Sequence, residues 1–281
     1  MIGFVGAGIM GKEIIYKLSK NQKVNIYNRT FKKAKHIEEN SSNVKAYKNV
    51  SSIFMKSKIV YMCVSDYDAI QNIIKKCNFC SYFKTEIIVN FSTILPEESC
   101  ELSSFFNKNN IKYYDAPVSG GPESVSLGKL GCIISGPDNI VLKDVNIKSI
   151  SNNINFVNGI GKAQKVKILN NLLETINMIS SMEIIKLLEK DGFSFDEIQK
   201  LLSSMRGYSI YADVTLNKFK KKNIKKTSVP VYIRRKDTAL SKNITQKYEN
   251  MRISDYAQKL YLDLSENLDN NDDQTSIYIN I

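Results

Sequence analysis

The pattern of apolar and polar residues changes once along the chain. In the first half, short apolar runs alternate with amphipathic stretches, which is typical of βαβ units that build a parallel sheet. The predicted strands are Ile2–Val5, Val24–Tyr27, Ile59–Val64, Ile87–Phe91, Tyr113–Ala116 and Gly131–Ser135. The predicted helices between them are Lys12–Leu18, Lys32–Glu38, Tyr67–Lys75 and Glu97–Asn107.

The second half of the chain has only helical patterns. From Ala163 to Lys190, apolar residues recur every three or four positions, and Asp191-Gly192 ends this long amphipathic helix. Further helices are predicted over Phe195–Ser204, Tyr211–Lys222, Val231–Lys247 and Ser254–Asn267. We therefore predict an α/β protein in which an N-terminal Rossmann-type parallel-sheet domain (residues 1–160) is followed by an all-α C-terminal domain (residues 161–281).

Composition narrows the class of protein. No apolar run of the chain approaches the roughly 20 residues that span a bilayer, so no membrane association is expected. The five cysteines are scattered and odd in number, as expected for free thiols in a cytoplasmic protein. Cys77 and Cys80 form a CxxC pair, but no second pair follows at zinc spacing, and no metal site is predicted.

The chain is basic, with a formal net charge of +12, which raises the question of nucleic-acid binding. The lysines are mostly dispersed. The one dense cluster, residues 218–226, is interpreted as a solvated helix end and loop, with a phosphate-binding patch as the alternative. We expect no nucleic-acid partner, and the positive charge favours anionic substrates and cofactors.

A glycine-rich turn follows the first predicted strand and opens the first helix. It consists of Gly6, Ala7, Gly8, Ile9, Met10 and Gly11. In this GxGxxG context the first glycine forms the tight turn, the second lets the backbone approach a diphosphate, and the third allows close helix–strand packing. The unpaired N–H groups at the helix start favour an anion. This motif predicts dinucleotide binding.

The residues at the end of the second predicted strand indicate whether the chain prefers NAD or NADP. An NAD-selective site places Asp or Glu here to accept hydrogen bonds from the ribose 2′-hydroxyl. This chain has Asn28, Arg29 and Thr30, with Lys33 one turn later. A neutral amide followed by a guanidinium suits a 2′-phosphate. NADP(H) is therefore favoured and NAD(H) stays possible, with an ordinary surface position as the alternative for Arg29.

The residues that commonly act as the general base in dehydrogenases, a histidine or a Tyr-xxx-Lys pair, are not suitably placed in this chain. The one histidine, His36, belongs to the helix after the second strand and is expected on the outer surface. The Tyr-xxx-Lys spacing of short-chain dehydrogenases occurs at Tyr16/Lys20 and Tyr232/Lys236, but both pairs are misplaced relative to the glycine turn. These residues leave the general base unassigned.

Four segments, in the correct order, resemble the β-hydroxyacid dehydrogenase family, which includes 3-hydroxyisobutyrate dehydrogenases and glyoxylate/succinic semialdehyde reductases. They are Ile2–Gly11, Asn28–Thr30, Asn90–Glu98 (Asn-Phe-Ser-Thr-Ile-Leu-Pro-Glu-Glu) and Asp115–Gly121 (Asp-Ala-Pro-Val-Ser-Gly-Gly). The resemblance extends from residue 1 to about Tyr278. It implies an NADP-dependent oxidoreductase that interconverts a small 3-hydroxy acid and its semialdehyde or keto acid, and assembles as a homodimer or homotetramer.

The resemblance also implies roles for single residues. Lys167, four positions before Asn171, matches the catalytic lysine and its asparagine partner, with Lys165 as a competing assignment. Residues four apart share one helical face. The implied substrate-binding residues are Ser119, Gly120, Gly121 and Asp237, of which the first three can form an anion-binding nest. The implied cofactor neighbours are Val64, Ser65, Thr93 and Lys236.

Two positions depart from the family pattern, and two other functions stay open. Ala163 replaces a usual glycine before the catalytic lysine, and Val229 replaces an aromatic residue usual in the glyoxylate/succinic semialdehyde branch. Imine reductases are related but typically replace the lysine. A non-catalytic nucleotide-binding module is the remaining alternative.

Overall fold

The computed structural model describes residues 1–77, 83–139, 145–220 and 229–281, and the described chain divides into two compact units, Met1–Lys167 and Ile168–Ile281. The strands are β1 (Ile2–Val5), β2 (Val24–Tyr27), β3 (Val44–Tyr47), β4 (Ile59–Met62), β5 (Ile87–Asn90), β6 (Lys112–Asp115), β7 (Val118–Ser119), β8 (Gly131–Gly136) and β9 (Asn153–Asn158). All of them belong to the first unit.

The helices of the first unit lie between these strands. They are α1 (Ile9–Ser19), α2 (Phe31–Glu39), α3 (Ser51–Lys56), α4 (Tyr67–Cys77), α5 (Pro96–Lys108), α6 (Pro122–Ser126) and α7 (Val145–Ile150). The helices that follow are α8 (Lys162–Lys190), α9 (Phe195–Leu202), α10 (Ile210–Lys220), α11 (Val231–Thr245) and α12 (Arg252–Ser265), with a 3₁₀ segment at Gln274–Asn280. The predicted class, a Rossmann-type domain followed by helices, is confirmed.

The sheet has the strand order β3-β2-β1-β4-β5-β6-β8-β7, and β9 pairs with β8. The first six strands in this order are parallel, which is the doubly wound arrangement that binds dinucleotides where the order reverses, between β1 and β4. The predicted parallel arrangement does not extend to every strand, because β8 runs antiparallel to β6 and β7. The short connection from Ser119 to Gly131 explains this, since a parallel return needs a longer crossover.

Side chains that alternate along the central strands build a core on each face of the sheet. Phe4, Tyr61 and Val89 lie in one buried cluster, and their neighbours Val5 and Val60 lie in the other. Burial on both faces explains why the central strands read as short apolar runs. The prediction missed β3, β7 and β9, which are polar or only two residues long and therefore give weak signals.

The second unit has its own core. Its buried cluster joins α8, α9, α10, α12 and the 3₁₀ segment through side chains such as Met182, Ile198, Leu216, Tyr261 and Ile277. The polar residues before Gln274 lead into a packed C-terminal segment, Gln274–Asn280, which the sequence pattern did not predict. None of the described helices is long and apolar enough to cross a membrane.

Candidate active site

The glycine-rich turn connects β1 to α1, and two of its glycines are required by the fold. Gly6 has φ +105°, and a Cβ there would lie 2.1 Å from the carbonyl oxygen of Cys63. A Cβ on Gly11 would lie 2.2 Å from the carbonyl oxygen of Gly6. Both distances are far below a van der Waals contact, so these positions accept only glycine without a backbone shift.

Gly8 differs from both. It is exposed, and a Cβ built on it would meet nothing within 4 Å. Gly8 is also the N-cap of α1, whose first turn carries no acidic residue and whose N-cap makes no side-chain hydrogen bond. The first N–H groups of a helix have no partner within the helix. An open glycine at an uncapped helix start is the geometry that a diphosphate fits.

Asn28 braces this turn from the end of β2. Its Oδ1 accepts a hydrogen bond of 2.9 Å from the N–H of Ala7, and its Nδ2 donates to the carbonyl oxygen of Thr30. Arg29, Thr30 and Lys33 are exposed at the same strand end. The cationic side chains of Arg29 and Lys33 are thus available as donors near Asn28, whose neutral amide already has two hydrogen-bond partners.

The remaining predicted cofactor neighbours follow β4 and β5. The N–H of Val64 donates to Ser92 Oγ over 2.9 Å, and the N–H of Ser92 donates to Asn90 Oδ1 over 3.0 Å. This links the Val64-Ser65 segment to the one that carries Thr93. The turn, Asn28 and these two segments therefore gather at the carboxyl ends of adjacent parallel strands, where α/β folds bind ligands.

The loop Ser119-Gly120-Gly121 begins at the edge strand β7, where Ser119 pairs with Gly131 of β8. Gly120 has φ +124°, a conformation that favours glycine. One feature of this loop was not predicted from the sequence. The carboxylate of Glu123 lies over Gly121, with an oxygen 2.2 Å from the position of a Cβ there. The predicted anion-binding loop thus has an acidic neighbour.

The two competing lysines of α8 differ in exposure. Lys167 is 9% exposed, whereas Lys165 is exposed. Asn171, which is buried, follows Lys167 by about one turn of the same helix. Lys167 ends the first compact unit, and Asn171 belongs to the second.

Asn171 and Asp237 form a buried pair within the second unit. The Nδ2 of Asn171 donates to Asp237 Oδ2 over 2.8 Å. The Nζ of Lys236 lies 3.1 Å from Asp237 Oδ1 and forms an ion pair with it. Within the described residues, Asn171 Oδ1 is buried and has no hydrogen-bond partner, and the same is true of Thr238 Oγ1. An unsatisfied buried acceptor is costly and points to a ligand group that donates to it.

Arg234, one turn before Asp237, holds this region together and was missed by the sequence analysis. It is 2% exposed and donates to four acceptors: Gln274 Oε1 (2.7 Å), the carbonyl oxygen of Asn171 (2.9 Å), Glu174 Oε2 (2.8 Å) and Tyr211 OH (3.1 Å). Burial opposes its charge, but the Tyr211 and Glu174 side chains raise the pKa of Arg234. Arg234 stands beside Arg235, Lys236 and Asp237, so no local signal in the sequence singled it out.

Several other candidates have no part in this arrangement. His36 is exposed on α2, as expected. Cys77 is buried, and burial raises the pKa of its thiol to about 12; Cys80 lies outside the described residues. The described part of the chain has no cluster of His, Cys, Asp and Glu that could hold a metal ion.

Most of the lysine cluster at residues 218–226 also lies outside the described residues. Of its described members, Lys218 pairs with the buried Asp273 at 2.7 Å and Lys220 pairs with Asp196.

The chain is similar to known proteins in both sequence and structure. Residues 1–157 match the family described as the NAD binding domain of 6-phosphogluconate dehydrogenase. The chain is 27% identical over 221 residues to 2-(hydroxymethyl)glutarate dehydrogenase of Eubacterium barkeri. This alignment covers 78% of this chain and 73% of that protein. It is 27% identical to mitochondrial 3-hydroxyisobutyrate dehydrogenase of Mus musculus, covering 73% of this chain and 62% of the relative.

Among solved structures, one described as Psf3 in complex with NADP+ and 2-OPP superposes with a TM-score of 0.91. It is 26% identical, and the match covers 99% of each chain.

Proposed function

This chain belongs to the β-hydroxyacid dehydrogenase family of NAD(P)-dependent oxidoreductases, and we propose that it interconverts a small 3-hydroxy acid and its semialdehyde or keto acid. NADP(H) is the proposed cofactor and Lys167 the proposed general acid and base. Three features of the chain support this assignment, and each concerns a different part of the substrate or cofactor.

The observation that carries the proposal is that Lys167 and Asn171 are both buried and lie about one turn apart along the continuous helix α8. The amide of Asn171 is oriented by its bond to Asp237, which leaves Oδ1 as the free acceptor. A substrate hydroxyl can donate to one such oxygen while its own oxygen accepts from a nearby donor. Lys167 is largely buried whereas Lys165 is exposed, so Lys167 is the better placed of the two to face an enclosed substrate.

In the proposed reaction the proton and the hydride are exchanged with two different groups. In oxidation, the neutral amine of Lys167 takes the hydroxyl proton as the carbinol carbon loses its hydride, and a carbonyl group forms. In reduction, the ammonium of Lys167 gives a proton to the developing alkoxide. The nicotinamide cofactor supplies the hydride acceptor or donor.

The preference for NADP(H) rests on the end of β2. Arg29 is exposed, so its guanidinium can form a charge-assisted fork with a 2′-phosphate. Asn28 keeps the turn in place through Ala7 without adding a negative charge.

The loop Ser119-Gly120-Gly121 is the proposed docking point of the substrate carboxylate. A hydroxyl and successive backbone N–H groups can enclose one carboxylate. The Glu123 carboxylate beside the loop opposes any negative charge placed there, so the donors of the loop must outweigh this repulsion for the substrate carboxylate to bind.

An initial-rate panel tests the proposal. NADPH and NADH are each combined with glyoxylate, succinic semialdehyde, methylmalonate semialdehyde and tartronate semialdehyde. We expect rapid oxidation of NADPH with one of the four aldehydes. Lys167→Ala should lower turnover by at least about a hundredfold with cofactor affinity nearly unchanged, because a positioned general acid contributes about 10²–10⁴ in rate. Lys165→Ala, two residues away, is the matched control and should stay active.

Other results would redirect the assignment. Full activity of Lys167→Ala contradicts the role of this lysine. If cofactor binds but no aldehyde is reduced, a cyclic imine is the next substrate to test, and inactivity there would support a non-catalytic nucleotide-binding module. Equal rates with NADH and NADPH would refute only the interpretation of Arg29.

A homodimer or homotetramer remains a prediction. Large apolar side chains of the second unit are exposed along α8, including Leu173 (55%), Ile184 (50%) and Leu187 (58%). Exposed apolar stripes of this kind are usually covered by a partner. Light scattering of the purified protein gives the assembly directly.

A further inference from the structure

A fully buried carboxylate lies at the end of β6, and the proposed chemistry does not use it. Asp115 is 0% exposed. Its Oδ1 accepts from Tyr113 OH (3.1 Å), and its Oδ2 accepts from Ser135 Oγ (3.2 Å) and from Ser99 Oγ. No cationic side chain within the described part of the chain pairs with it. A buried carboxylate without a cation needs several donors to offset its lost hydration.

Two further donors come from the start of the helix that carries Lys167. The N–H of Gly161 donates to Asp115 Oδ2 over 2.9 Å, and Gln164 Nε2 donates to Asp115 Oδ1 over 3.1 Å. Gly161 has φ +81°, and a Cβ there would lie 2.8 Å from the carbonyl oxygen of Pro96. The beginning of α8 is therefore fixed by specific bonds as well as by packing.

Gln164 also bonds to the segment on either side of Thr93. Its Nε2 donates to the carbonyl oxygen of Ser92 (2.9 Å), and its Oε1 accepts from the N–H of Ile94 (3.2 Å). Gln164 is 0% exposed, and each of its polar atoms has a partner. One side chain thus connects the carboxylate of Asp115, the Thr93 segment and the first turn of α8.

We propose that Gln164, anchored on Asp115, is a positioning residue that sets the place of Lys167 relative to the Thr93 segment. Gln164 precedes Lys167 by three residues, so the two side chains are neighbours on one helical face. The inference rests on the proposed function, because it needs Lys167 to be the proton-transfer group. Because Gln164 is 0% exposed and its polar atoms are bonded within the protein, its proposed effect is exerted through Lys167.

The first test replaces Gln164 by Met, which keeps the length of the side chain and removes its hydrogen bonds. We expect kcat to fall by at least about tenfold, since a displacement of about 1 Å at a catalytic group can cost about a hundredfold. The Kd for NADPH, measured by fluorescence, should rise by a smaller factor than kcat falls, because the glycine turn is untouched and only the Thr93 segment loses its bonds to Gln164.

The matched control is Gln258→Met in α12. Gln258 is also buried (3% exposed) and donates to Ser241 Oγ (3.1 Å) and Thr245 Oγ1 (3.2 Å), within the helical unit. Its replacement removes a comparable set of buried hydrogen bonds. We expect a similar fall in Tm for both variants, but a fall in kcat for Gln164→Met alone.

A second variant, Gln164→Glu, adds a readout that a loss of stability does not produce. It keeps the acceptor for Ile94 but places a carboxylate about 3 Å from Asp115, where the two groups must share a proton to bond. Its kcat, expressed as a fraction of the wild-type value at each pH, should rise as the pH falls from about 8 to about 6.

The other titratable groups facing Asp115 do not interfere with this readout. They are Tyr113 on the same strand and Cys100 on α5. Burial, and then the charge of Asp115, raises the pKa of both, so both stay neutral over this range.

The outcomes distinguish a failure of the positioning role of Gln164 from a failure of the proposed function. If Lys167→Ala is inactive while Gln164→Met keeps its kcat, the positioning role is wrong and the proposed function stands. If the relative kcat of Gln164→Glu does not change with pH, the bond to Asp115 is not what positions the helix. If Lys167→Ala is fully active, the proposed function itself fails.

Discussion

Replacing Gly8 by Ala separates what the fold requires of the glycine turn from what a bound cofactor requires. Gly8 has φ −72° and ψ −170°, which any residue can adopt, and a new Cβ would meet nothing within 4 Å. The protein without cofactor should therefore tolerate the change. If a diphosphate lies against Gly8, the added methyl group will occupy part of its place.

Two small effects change the free energy of unfolding of the Gly8→Ala variant in opposite directions. Replacing a glycine at a compatible conformation stabilises by about 0.4–1 kcal/mol, because the unfolded chain loses freedom. Alanine is a poorer N-cap than glycine, at a cost of about 0.5–1 kcal/mol. These terms nearly cancel, so Tm should change by no more than about 2–4 °C.

Binding should change far more than stability. Overpacking a fitted site by a methyl group costs about 1–3 kcal/mol, which corresponds to about a 5- to 150-fold increase in the Kd for NADPH. The assay combines thermal unfolding without cofactor and a fluorescence titration with NADPH.

Gly11→Ala is the control, because its Cβ would collide with the Gly6 carbonyl oxygen and should lower Tm whether or not cofactor is present. Wild-type affinity of Gly8→Ala for NADPH would refute the close approach of cofactor to this residue.

Three further predictions concern single side chains. Arg29→Ala should weaken NADPH binding by about tenfold or more and leave NADH binding unchanged, since a charge-assisted bond to the 2′-phosphate is lost; equal losses for both cofactors in a fluorescence titration would contradict this. Arg234→Met should lower the free energy of unfolding by about 3–5 kcal/mol, because partners of a buried charge are left behind; in urea unfolding, the exposed Arg252→Met should change it by less than about 0.5 kcal/mol. The hydrogen bond from Lys35 holds the pKa of Glu38 at about 2, below the ordinary value of 4.5, with Lys45 contributing. Its stabilising effect is therefore complete above the ordinary value and lost as the pH falls toward about 2, so the Tm difference between wild type and Glu38→Gln should shrink from about pH 5 to about pH 3.

Local signals in the sequence determined the class of fold and were the basis of much of the proposed cofactor site. Each central strand is buried on both faces and reads as an apolar run, and α8 is long and amphipathic, so both patterns are visible without the structure. The glycine turn is equally local, since Gly6, Gly8 and Gly11 act within one strand–helix connection. The central strands, α8 and the glycine turn could therefore be predicted from residues that are close together in the sequence.

Only the tertiary structure decided which polar residues work together. Asp115 and Gln164 are 49 positions apart and Asn171 and Asp237 are 66 apart, and nothing in the sequence near either residue names its partner. The antiparallel edge formed by β7 and β8 depended in the same way on a short connection whose path the pattern did not specify.

The physical reason is the difference between burial and pairing. Hydrophobic burial is non-directional and leaves its periodicity in the sequence of each element. Hydrogen bonds among buried polar groups are directional, so their partners are fixed only when strands and helices far apart in the chain are packed together.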